Sequence, residues 1–120
     1  MKRWIGLGIF SLAVGSPVLA HHSFAMFDIQ KQVTVSGTVR EFQWTNPHSW
    51  LQLQVPRAGA VTEYSIELGS PNTMSRRGWR RTSFKPGDKV TVMMNPMRDG
   101  SPGGALISAT DAAGNTLSLR

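Results

Sequence analysis

Three histidines and no cysteine bound the chemistry open to this 120-residue chain: His21 and His22 are adjacent, and His48 sits in Trp44-Thr45-Asn46-Pro47-His48-Ser49-Trp50. Residues 1–20 read as a cleavable leader, so a cut after Ala20 makes His21 the first residue of the mature chain. An N-terminal histidine offers its α-amine and its imidazole together, two nitrogens able to chelate one ion. His22 and His48 could add two further rings. Such nitrogens suit Cu(II) best among divalent first-row ions, with Ni(II) and Zn(II) behind it. The expected metal ligands are therefore His21, His22 and His48, and the expected ion is copper. The same residues admit a structural reading, in which His21 and His22 are solvated and His48 donates a hydrogen bond that fixes the Asn-Pro corner.

Methionines form a second set, Met93-Met94-Asn95-Pro96-Met97 with Met26 near the new terminus. Thioethers are soft ligands for Cu(I), but methionine is also a common core filler, and neighbours in a strand face opposite ways. One of Met93 and Met94 should lie inside. A third set pairs Arg76, Arg77, Arg80 and Arg81 with the indoles of Trp44, Trp50 and Trp79, a basic-aromatic surface suited to an acidic or extended partner. Hydrolytic chemistry finds little footing, because Ser23, Ser49 and Ser70 lie in no nucleophile elbow and the carboxylates show no paired spacing. Glu63 and Glu67 share a strand face opposite Tyr64 and Ile66, which reads as solvent-facing.

These groups need a scaffold and an address. Lys2 and Arg3 precede an apolar run from Ile5 to Val14, and Val18 and Ala20 are small residues at the −3 and −1 subsites: a secretory signal peptide over residues 1–20. The apolar run falls short of the ~20 residues that span a bilayer. The expectation is a periplasmic or secreted protein whose mature part has no transmembrane segment. About one hundred residues remain, enough for one domain over residues 21–120. With no cysteine, disulfides, Fe–S clusters and covalent haem are excluded. Removing Lys2 and Arg3 from thirteen basic residues leaves eleven against seven acidic, a net charge of +4.

Alternation predicts a long first strand over residues 32–44 with a bend at Gly37, a second after the Asn-Pro corner with Leu51, Leu53 and Val55 inward, and a third over 61–68. Ser70 is a good N-cap and Pro71 suits the first helical position, so a short helix should run to Gly78 or Trp79 and plug one end of a barrel. Strands over 89–94, 105–110 and 116–119 follow, with residues 96–104 as loop. Three meandering strands, a helix, then two or three more strands resemble an OB-like barrel of five to six strands, all-β apart from one short helix. A small sandwich is the other possibility.

His21-His22-Ser23-Phe24 after a signal peptide, Val35-Ser36-Gly37-Thr38-Val39, the Trp44 to Ser49 corner, Ser70-Pro71, Arg77-Gly78-Trp79 and Pro86-Gly87-Asp88 resemble a family of small exported bacterial proteins of unknown function. More loosely, strand order and turns resemble periplasmic bacterial OB-fold proteins. An N-terminal histidine paired with an internal one is similar to the copper brace of other exported copper proteins. Two functional readings follow: an exported binding module holding copper or a related metal, and a metal-free accessory protein that binds an anionic surface or an extended partner. A copper oxidase-like enzyme is a third, and nucleic acid is not expected at this address.

Overall fold

The computed structural model describes residues 24–120, so the leader expected over residues 1–20, together with His21 and His22, lies outside the described residues. Where polar and apolar side chains alternate, the chain is strand: β1 (Val33–Gln43), β2 (Trp50–Arg57) and β3 (Ala60–Glu67), then α1 (Pro71–Ser75), then β4 (Lys89–Pro96), β5 (Gly103–Asp111) and β6 (Thr116–Ser118). The sheet order is β3-β2-β1-β4-β5-β6, and β3 pairs with β5 as well. Five strands thus close on themselves, and β6 hangs on the outer edge of β5. Closure removes the edges that short strands would otherwise present. The fold is the OB-like barrel with one short helix that the strand order implied.

The period of two decides the inside. Leu51, Leu53 and Val55 from β2, Tyr64 and Ile66 from β3, and Val90, Val92 and Met94 from β4 are buried in one core. Met93, one residue before Met94, is 37% exposed, as the pleat requires. β1 is long because its first half pairs with β4 and its second half with β2. The pairing with β2 slips between Val39 and Glu41, so the bulge is at Arg40 rather than at Gly37. An extra residue there flips the alternation, which turns both Val39 and Phe42 toward the core.

The helix is shorter than the sequence suggested. Ser70 caps it, its hydroxyl accepting a bond from the Thr73 N–H at 3.2 Å, and Met74 is its buried residue. Gly78, at φ 87°, stops it. The Trp79 N–H then donates back to the Met74 carbonyl at 3.1 Å, and the indole swings inward.

The seam between β3 and β5 is parallel: Ser65 opposes Gly103, Ile66 opposes Gly104 and Glu67 opposes Ala105. Gly103 and Gly104, read as loop from sequence, are strand residues placed where backbones nearly touch. A Cβ on Gly104 would collide with the Asn95 carbonyl oxygen, and one on Gly103 with that of Ser65. Ahead of β1, a 3-10 turn at Phe24–Met26 leads into Phe27, which is buried and bridges antiparallel to Met97. The Asp28 N–H donates to the Pro96 carbonyl at 2.8 Å, and the Asn95 side-chain amide donates to the Lys31 carbonyl at 2.6 Å. The start of the described chain is therefore fastened across the end of the seam. Gly104→Ala should lower stability by about 1–3 kcal/mol in urea unfolding, the usual cost of overpacking. Gly69→Ala, whose Cβ would meet Thr73 and Met74 at ordinary contact distance, should cost clearly less.

Candidate functional site

His48 is positioned by the corner between β1 and β2. Asn46-Pro47 is a cis peptide, and the Thr45 hydroxyl donates to the His48 carbonyl at 2.8 Å. Ser49, fully buried, then pins the corner to the end of β3: its N–H donates to the Gly69 carbonyl and its carbonyl accepts from the Leu68 N–H, each at 2.9 Å. This places the imidazole beside Glu67, with Nδ1 3.4 Å from Oε1. Glu67, expected on a solvent face, has a side chain only 13% exposed. Its neighbours explain that: Trp50 is its partner on β2 and Ala105 its partner across the seam, so Glu67 lies between two strands and under the corner.

The pair opens into a cleft of about 220 Å³ walled by Phe27, Leu68, Thr73, Leu106, Leu119 and Arg120. Mostly apolar walls with a few polar groups, here His48, Glu67, Thr73 and Arg120, are what a small-ligand site generally shows. Phe27 brings the start of the described chain to the same cleft as His48. Sequence reading had no means of seeing Glu67, Phe27 or Leu119 here, because each is delivered by a long-range pairing. Among the described residues, no group of three or more His, Asp and Glu side chains is arranged to hold a metal, and His48 with Glu67 supplies two groups.

The indoles do not form one face. Trp79, expected on a partner surface, is 1% exposed and donates its Nε1–H to the Ser118 carbonyl at 3.2 Å. It packs with Phe42 and Phe84, ring centres 6.2 and 6.0 Å away. Trp44 stands edge-on to Phe42 at 5.9 Å, joining the same aromatic cluster from its rim. The bulge at Arg40 is the cause, since it turns Phe42 inward and the cluster forms around it. Trp50 alone of the three stands on the wall shared with Glu67. Arg76, Arg77, Arg80 and Arg81 are all exposed, and none makes an ion pair with a described residue.

A family model covers residues 10–107, ending within β5 at Ile107. The chain belongs to the family of unknown function DUF6152. The matched span takes in the corner, Glu67 and the seam, so every wall of the cleft except Leu119 and Arg120 lies within the family match. No curated protein matches the chain. Among solved structures, the mitochondrial single-stranded DNA binding protein Rim1 from S. cerevisiae is similar with a TM-score of 0.51 at 12% identity, covering 71% of this chain and 97% of Rim1. That likeness is one of fold, and it agrees with the OB-like barrel. No helix among the described residues is long and apolar enough to cross a membrane.

The displaced carboxylate pKa values lie in turns, away from the cleft. Asp88 is held below its ordinary value by the hydrogen bond from the Lys85 ammonium, 2.8 Å away, and by the Lys85 N–H. Asp111 is lowered by the Asn115 N–H and side-chain amide, and Asp99 by the Ser101 hydroxyl and N–H. A carboxylate with a folded-state pKa below its unfolded value near ~3.9 contributes stability that is fully present above that value. The contribution is lost as pH falls through the folded-state value. Thermal melts from pH 5 down to pH 2 should therefore show falling stability, and an Asp88→Asn/Asp111→Asn variant should show a shallower fall over that window.

Proposed function

We propose that the mature chain is an exported binding module that holds a transition metal ion, copper, through His48 and the amino-terminal His21 and His22. The observation that carries this is the shared cleft: Phe27 and His48 are two of its walls. From Phe27 back to His21 is six residues, a span of at most about 20 Å when extended. The amino group freed by cleavage after Ala20 is thus on a short tether fastened at the cleft. Glu67 supports the same reading, because histidines that bind metals usually present their second ring nitrogen to a carboxylate or carbonyl. In that role Glu67 orients the ring through Nδ1, and the His48 imidazole serves as a copper ligand. The ligand set is three imidazoles at most and one amine, the donor chemistry Cu(II) prefers.

One observation favours the metal-free alternative. Four exposed arginines, Arg76, Arg77, Arg80 and Arg81, with no ion pair to a described residue, concentrate positive charge in the stretch that follows α1, fit for an anionic surface. Rim1 shows that a barrel of this shape serves a polyanion in another protein, though an exported chain meets anionic headgroups more often than nucleic acid. Salt-sensitive retention on phosphatidylglycerol vesicles, lost in Arg80→Ser/Arg81→Ser, is the outcome expected of that reading.

The copper reading is tested by Cu(II) titration of protein recovered after natural export. Glu67→Gln should weaken binding by about 10–100-fold, the usual cost of losing an orienting partner, and His48→Ala should weaken it further. One residue added before His21 should do comparable damage by burying the amine in a peptide bond. Equal affinity with and without the added residue sinks the proposal.

A further inference from the structure

A second cleft, of about 210 Å³, adjoins the first and shares Phe27 and Glu67 with it; Met26, Met97 and Trp50 stand on its other walls. The two methionines come from distant parts of the chain. They are brought to one place by the bridge between Phe27 and Met97 and by the bond that the Arg98 N–H donates to the Met26 carbonyl at 2.9 Å. Methionine usually fills cores, and Met74 and Met94 do so, both buried. Met26 does not: it is 42% exposed at the rim of a cleft whose walls already include Phe27 and Trp50.

Thioethers are uncharged and soft, and they select Cu(I) and its soft monovalent analogues over harder ions. A nearby indole adds attraction for a cation within about 6 Å of its ring. Glu67 adds a negative charge on the wall between the clefts. We propose that Met26 and Met97 form a thioether site for a soft monovalent cation, Cu(I), flanked by Trp50 and Glu67. For the identity of the metal this rests on the copper reading, but its ligands are different, so the two fail separately. The lower valence state has its own donors one wall away from the histidine.

The test uses export-processed protein labelled with 13C at the methionine methyl groups, titrated with Ag(I) as a redox-inert soft probe. The Met26 and Met97 methyl resonances should move together and saturate together. Those of Met74 and Met94 in the core, and of Met93 exposed on β4, should stay. Anaerobic competition against a chromophoric Cu(I) chelator should show Met26→Leu/Met97→Leu weakened about 10-fold or more. His48→Ala should leave the methyl shifts intact even where it abolishes Cu(II) binding, which separates failure of one site from failure of the other. The proposal is overturned if no methyl moves, if Met93 moves as readily as Met26 and Met97, or if the double leucine variant keeps its Cu(I) affinity. If that variant does not fold, the methyl shifts of the unsubstituted chain decide.

Discussion

Three residues of parallel pairing, Ser65 to Glu67 against Gly103 to Ala105, hold the barrel shut, and the candidate sites are built on them. A parallel pair cannot be made by a hairpin; it needs a crossover, and here α1 and β4 are that crossover. The approach is close enough that β5 needs a glycine at 103 against the Ser65 carbonyl of β3, and the next residue, Gly104, is needed against the Asn95 carbonyl of β4. Closure has a local result that a flat sheet would lack. It brings Glu67 from the end of β3 beside Ala105, so that one carboxylate stands on the wall between two clefts. It also brings the loop after β4 to the start of the described chain, where Phe27 bridges Met97.

Rigidity at the corner follows from the same region. Ser49 has no access to solvent, and its backbone is hydrogen-bonded in both directions to the end of β3. A buried N–H or C=O left without a partner costs about 1–3 kcal/mol, so moving the corner away from Leu68 and Gly69 is strongly opposed. His48 thereby keeps its place without being buried itself. An imidazole about one-third exposed on a fixed backbone, next to a mostly covered carboxylate, can meet a ligand with little reorganisation. Asn95 shows the opposite economy: it is fully buried, its amide holds the Lys31 carbonyl, and its Oδ1 has no hydrogen-bond partner among the described residues.

Local rules made much of the barrel legible. The Leu51, Leu53, Val55 face follows from a period of two, the helix start from Ser70 and Pro71, and the opposite fates of Met93 and Met94 from the pleat alone. What stayed hidden depends on partners distant in sequence. The Arg40 bulge is set by the pairing of β1 with β2, and it decides that Phe42, Trp79 and Phe84 form one aromatic cluster. Gly103 and Gly104 look like loop residues until β3 is placed against them. Glu67 looks solvent-facing because its strand alternates, while its cover comes from the corner and from β5. His48 was legible as a candidate by its position in the turn; its carboxylate neighbour was not.

The account turns on whether one imidazole from the corner and the donors at the mature terminus serve the same ion. Pulsed electron paramagnetic resonance on Cu(II)-loaded, export-processed protein measures this directly by counting coordinated imidazole nitrogens. The account predicts more than one imidazole in the native chain and a count lower by one in His48→Ala. An unchanged count in that variant, or a single imidazole in the native chain, contradicts it.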